Sequence, residues 1–158
     1  MKNFLILLSF VAILFACDND TTVDTMIDDT ATIWDGPTTT FSKAAEADPT
    51  LAENQDRLTA RVQLTRGNDG GQIYNAATED SADKTNSPAG TLWAIGTLEE
   101  RENLTFEAFR AAVGSPKDVV GKDLVLRLVD DNIFVAVKFT EWAQRKGGGF
   151  TYERSTEN

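Results

Sequence analysis

The chemistry open to this chain is narrowed first by what it lacks. Histidine is absent and cysteine occurs once, at Cys17. Ser-His-Asp and Cys-His nucleophilic catalysis, and the usual histidine-rich zinc sites, therefore have no residues to build them. No P-loop and no dinucleotide-binding glycine fingerprint appears. Acid–base chemistry would have to come from carboxylates, of which Glu79-Asp80, Glu99-Glu100 and Asp130-Asp131 are adjacent pairs. A hydrolase of the glycosidase kind needs two carboxyl groups about 5–9.5 Å apart across a cleft, one with a raised pKa. Neighbours in a polar turn are instead expected to be solvated. Calcium is the other chemistry oxygen-rich turns allow, since it takes several carboxylate and carbonyl oxygens. Asn68, Asp69, Asp130 and Asp131 are the candidate ligands, although neither turn follows the EF-hand pattern. No other cofactor is indicated. Trp34, Trp93, Trp142 and Tyr152 are candidates for a sugar-stacking platform, against the alternative that they pack the core.

The single thiol sits in a specific context. Lys2 supplies a positive start, and Phe4 to Phe15 is almost wholly apolar, the pattern of a secretory signal. Twelve helical residues reach about 18 Å, short of a hydrocarbon core of about 30 Å. The run ends Leu14-Phe15-Ala16-Cys17. This resembles the lipobox of bacterial lipoproteins, in which cleavage between the small residue and the cysteine frees the thiol for a diacylglycerol thioether. The resemblance implies cleavage between Ala16 and Cys17, with Cys17 carrying acyl chains such as palmitate as a membrane anchor. Two or more chains make such an anchor stable. Asp18-Asn19-Asp20 resembles the surface-export signal that follows the lipid cysteine in Bacteroidota lipoproteins, which favours the outer membrane or cell surface over the inner membrane.

Charge limits the partners. There are 25 Asp and Glu against 15 Lys and Arg, a net charge of −10. Losing residues 1–16 removes one base, Lys2, and no acid, leaving −11. Such a chain is repelled by nucleic acid phosphates, so no nucleic acid partner is expected. A lone cysteine excludes a disulfide framework.

These residues must be positioned by a small scaffold. Residues 17–32, rich in Asp and Thr, read as a disordered tether. Asp24-Thr25-Met26 and Asp29-Thr30-Ala31 within it, and Asp80-Ser81-Ala82 further on, resemble the O-glycosylation tripeptide of Bacteroidota. From Ile33 short apolar runs alternate with Gly, Pro, Asn and Asp, the texture of an all-β chain. Strands are expected at Thr38–Ser42, Arg61–Thr65, Gln72–Asn75, Thr91–Thr97, Leu124–Val129, Ile133–Trp142 and Gly149–Arg154. Thr50 to Glu53 has capping-box spacing and suggests one helical turn. The expected helix is Phe106–Val113, capped by Thr105 and stopped by Gly114 and Pro116, with Phe106, Phe109 and Val113 on one face. Residues 80–88 read as an exposed loop and Gly147-Gly148-Gly149 as a flexible connection. A turn centred on Asp130-Asp131 sets Leu128 opposite Ile133, Leu126 opposite Val135 and Leu124 opposite Val137. On the other face, Asp123 meets Lys138 and Arg127 meets Phe134.

The expected architecture is mainly β: a single antiparallel, jelly-roll-like β-sandwich over residues 33–156 with one short α-helix, behind a signal peptide (1–16) and tether (17–32). Several segments, among them Ile33-Trp34-Asp35-Gly36-Pro37, Gly90-Thr91-Leu92-Trp93 and Phe150-Thr151-Tyr152-Glu153-Arg154, together resemble a group of uncharacterised exported β-rich proteins from environmental, often marine, bacteria. The likeness implies export and the domain limits. It carries no activity, and the group often has histidine where this chain has Arg127. The functional expectation is an exported, lipid-anchored binding module for a glycan or an envelope protein. A carboxylate-dependent hydrolase and a purely structural surface protein are the alternatives.

Overall fold

A computed structural model describes residues 30–158. In chain order its strands are β1 (Thr32–Trp34), β2 (Thr39–Lys43), β3 (Asp56–Arg57), β4 (Gln63–Arg66), β5 (Ile73–Asn75), β6 (Thr91–Ile95), β7 (Asp123–Leu128), β8 (Ile133–Trp142) and β9 (Phe150–Arg154); α1 is Phe109–Val113. Ala16, Cys17 and the expected tether up to Asp29 lie outside the described residues. Thr32, assigned from sequence to the tether, is the first residue of β1.

Period-two patterning fixes the centre of the fold. β7 and β8 pair in the expected register, Leu124↔Val137, Leu126↔Val135 and Leu128↔Ile133, with Asp123↔Lys138 and Arg127↔Phe134 on the other face. Lys138 Nζ lies 2.9 Å from Asp123 Oδ1, and the Arg127 guanidinium sits 5.5 Å from the Phe134 ring centre. Residues 129–132 close the hairpin. The Asn132 N–H donates to the Val129 carbonyl, and Asn132 takes a left-handed φ of 51°.

Strands β6 to β9 follow one another as an antiparallel meander, and β2 joins the free edge of β9. β1 runs parallel to β8 over Ile133–Val135, on the side that β9 occupies further along. This is the exception to an otherwise antiparallel fold. A three-stranded sheet, β3-β4-β5, packs against the larger one. One core cluster joins Leu58, Val62, Leu64 and Ile73 of the small-sheet region to Trp93, Leu126, Val135, Phe139 and Tyr152 of the large sheet. The molecule is thus mainly β, two packed sheets with one short α-helix.

The helix is shorter than its apolar spacing predicts. Glu107 exchanges backbone hydrogen bonds with Trp93 at 2.8 and 2.9 Å, which holds residues 106–107 extended along the edge of β6. Phe106 is therefore not on the helix face of Phe109 and Val113. It meets Phe134 on the opposite side of the sheet, ring centres 5.4 Å apart. The Phe109 N–H is taken by the Ser87 hydroxyl rather than by a Thr105 cap. The expected turn near Thr50 forms as a single 3-10 turn, Ala52–Asn54. The 80–88 loop is pinned: buried Gln72 donates Nε2 to the Asp83 and Asn86 carbonyls at 2.5 and 2.6 Å.

Candidate functional site: a cationic cleft at one end of the sheets

The residues expected to act do not come together. Trp93 and Tyr152 are completely buried, and Trp34 and Trp142 are each 8% exposed. They are core residues, not a sugar platform. The large sheet needs its inner face covered, and rings supply the most apolar area per residue. Trp93 stacks edge-on against Phe109, and Phe139 touches both Trp142 and Tyr152. The Tyr152 hydroxyl donates to Asp56 Oδ2 at 2.6 Å, and burial raises its pKa well above the ordinary tyrosine value.

Two of the four candidate calcium ligands, Asn68 and Asp131, are engaged elsewhere. Asn68 Oδ1 accepts from Lys43 Nζ at 2.9 Å. Asp131 Oδ1 accepts from Arg61, and Oδ2 from Thr59. Asn68-Asp69 sits in the turn between β4 and β5, and Asp130-Asp131 in the turn between β7 and β8, at opposite ends of the strands. The four expected calcium oxygens thus belong to two separate turns and form no common shell. Among the described residues no group of three or more Asp, Glu or Cys is placed to hold a metal ion.

Of the carboxylate pairs, Asp130 and Asp131 line one cleft together, with Arg61 and Asn75, and Arg61 holds Asp131 there. Glu79 Oε2 accepts the N–H groups of Asn75 and Ala89, and Glu100 Oε2 accepts that of Thr97. Asp48, Asp83 and Glu99 are held below the ordinary carboxylate range, each chiefly by a backbone N–H. That is the opposite of what a general acid needs.

What the fold does assemble is cationic. Period two puts Leu64 and Arg66 on the same face of β4, so Arg66 follows Leu64 into the interior and is 2% exposed. Its guanidinium lies 4.1 Å from the ring centre of Trp142. Nε donates to the Gly71 carbonyl, and Nη1 to those of Ala143 and Gly149 at 2.9 and 3.0 Å. Every partner is neutral. Burial pushes the Arg66 pKa down to about 10, and no carboxylate opposes that shift. Arg66 remains charged at neutral pH.

Beside it, buried Lys43 is held by Asn68 Oδ1 and, at 3.3 Å, by the Gly148 carbonyl. Its pKa is lowered first by burial and next by Arg66. These two cations organise the 143–149 loop by satisfying its carbonyls. The three glycines there are close-packed rather than a flexible link. A Cβ on Gly149 would come within 2.7 Å of the Ala45 nitrogen, and one on Gly148, at φ +68°, within 2.8 Å of the Gly67 carbonyl oxygen.

Arg66 opens on a cleft of about 200 Å³ lined also by Arg110 of α1, Ser115 and Lys117 of the turn that follows, and Arg145 of the loop. Arg110, Lys117 and Arg145 form no ion pair among the described residues, and no carboxylate lines the cleft. Arg66 Nη2 makes no hydrogen bond to the described residues, and it is not a sealed, unpartnered atom. It is therefore left to face the cleft. Four cations converge without an acid in a chain that has 25 acids.

Spacing could not have shown this, because positions 66, 110, 117 and 145 belong to four different elements. The one legible signal was an arginine in phase with Leu64 on a buried face. No known family, curated protein or solved structure matches this chain.

Proposed function

We propose that the protein is an exported, lipid-anchored module of the cell envelope, facing the cell surface, that binds a glycan or an envelope protein without altering it chemically. The cationic cleft carries this reading: it gathers cationic donors that form no ion pair in one concavity with no carboxylate in its lining. Its place in the fold leaves room for the anchor. The chain arrives at Thr30, near Asn132, where the Thr32 N–H donates to the Asn132 carbonyl at the start of β8. The cleft lies past Trp142, at the other end of the same strand. Ten residues at about 3.3 Å each separate the two ends by about 30 Å. With acyl chains on Cys17, the tether would enter the domain at the end of β8 opposite the cleft. Among the described residues no helix is long and apolar enough to cross a membrane.

Two measurements test the proposal. Expression with a labelled fatty acid should label the wild-type chain and leave Cys17→Ser unlabelled; equal labelling refutes the anchor. The full chain in detergent, applied to a glycan array and to envelope-protein pull-downs, should retain a ligand that Arg110→Ala/Lys117→Ala no longer retains. Blank results in both formats, or retention unchanged by the substitutions, refute the binding role.

A further inference from the structure

We infer that the cleft recognises an oxyanion carried on a sugar, a uronate carboxylate or a sulfate ester, with Arg66 as the fixed contact and Arg110, Lys117 and Arg145 as the closing ones. This rests on the binding role proposed above and names its ligand class.

The argument begins with the cost of Arg66. Burying a guanidinium is expensive unless a counter-charge accompanies it. The same molecule shows the usual solution, in Arg154 paired to Asp56 through Nε at 2.6 Å and Nη2 at 2.9 Å. Arg66 has carbonyls on two nitrogens and the Trp142 face beneath it, with Nη2 left over. Stacking and three carbonyl bonds lock the guanidinium plane, so a group binding at Nη2 meets a donor already ordered. Around it the Arg110, Lys117 and Arg145 side chains and the Ser115 hydroxyl offer further donors, and no acceptor carboxylate competes. Arginine forks are matched to planar carboxylates and to tetrahedral sulfate or phosphate oxygens.

The surroundings select among oxyanions. A net charge of −10 repels long, densely charged chains such as nucleic acids, leaving isolated anionic groups that enter the cleft singly. The cleft is walled chiefly by the 115–117 turn and the 143–145 loop, and of the strands only the last residues of β4 and β8, Arg66 and Trp142, reach it. An acidic peptide would have to add to these short strand ends by backbone pairing. A sugar ring, which needs no such pairing, can present its acid group between the cations.

The test uses the full chain in detergent, with binding followed by calorimetry at low and moderate salt. The probes are an oligogalacturonate, a sulfated galactan oligosaccharide, the matching neutral galactan oligosaccharide and tetraglutamate. The expected result is binding of one or both acidic sugars, at least about tenfold tighter than the neutral sugar and tetraglutamate. Arg145→Ala and Lys117→Ala should each weaken it about tenfold, while Lys84→Ala, a cation outside the cleft, leaves it unchanged. Arg145 and Lys117 are exposed, so both variants should fold. The relative affinities of galacturonate and sulfated galactan decide between carboxylate and sulfate. Equal binding of tetraglutamate, or equal losses in Lys84→Ala, overturns the inference in favour of a general charge effect. Binding of the neutral sugar alone overturns it while leaving the glycan-binding role intact. No binding of any sugar, together with blank pull-downs, removes both.

Discussion

Replacing Asp56 tests how the two sheets are held together. Asp56 is the first residue of the two-residue strand β3, yet its carboxylate reaches across to β9 of the large sheet. It accepts Arg154 Nε and the Tyr152 hydroxyl at 2.6 Å each, and Arg154 Nη2 at 2.9 Å. The side chains of Arg154 and Asp56 are only 11% and 9% exposed. Burial lowers the proton affinity of Arg154, and the Asp56 carboxylate more than offsets that, so the net shift is upward. Asp56→Ala strands a guanidinium and a phenol hydroxyl in the interior at once. Breaking a buried pair on one side costs about 3–5 kcal/mol. With a urea m-value of roughly 1.5–2 kcal/mol per molar for a domain of this size, the midpoint should fall by about 2 M.

The counter-experiment removes the whole network. In Asp56→Leu/Tyr152→Phe/Arg154→Met the carboxylate, phenol and guanidinium leave together and only the Ser155 carbonyl loses a donor, the 3.3 Å contact from Arg154 Nη1, so the loss should be at least about 2 kcal/mol smaller than that of Asp56→Ala alone. Urea unfolding followed by tryptophan fluorescence reads both. A single-variant loss below about 1 kcal/mol, or a triple variant worse than Asp56→Ala, refutes the claim that the charge network joins the sheets.

Further predictions concern titration, packing and strain. Tyr152 and Tyr74 both have pKa values raised above the ordinary 10.0, chiefly by burial. Folding therefore favours their neutral forms: this contribution is full below pH 10 and is lost as pH climbs toward the folded values. Absorbance at 295 nm should show little phenolate at pH 10 in the native chain and about half ionisation in urea; matching curves would contradict the burial argument. Lys43 is shifted downward, so Lys43→Met should compare best with the wild type at pH 7 and lose ground as pH rises through the lowered Lys43 pKa. A stability difference flat across pH 7–10.5, read by urea unfolding, would count against it. Gly148→Ala places a Cβ against Asn68 Oδ1, the acceptor of Lys43, at a positive φ. It should cost about 2–4 kcal/mol, and an unchanged melting temperature would disprove the close packing. Arg127 has a sealed Nε with no partner and rests on Phe134. Arg127→Met keeps the contact and drops the unsatisfied donor, so thermal melting should show a change of less than about 1 kcal/mol in either direction.

Sequence alone determined the parts of this protein that depend on neighbours. The β7–β8 register followed from period-two patterning because a one-residue slip would set apolar against polar along the whole hairpin. All of β8 and most strand positions were legible for the same reason. β1 and β3 were not: three and two residues long, they carry too little pattern and exist because β8 and β4 offer them an edge. The helix starts later than its apolar spacing predicts because Glu107 pairs with Trp93, fourteen residues away, rather than following helical spacing. The lipobox-like run Leu14-Phe15-Ala16-Cys17 is a linear pattern, readable without a fold. The cleft belongs to the tertiary structure alone. Arg66, Arg110, Lys117 and Arg145 converge through the packing of a strand end, a helix, a turn and a glycine loop. Whether a charge is solvated or buried, paired or free, is decided by that packing and not by chain order.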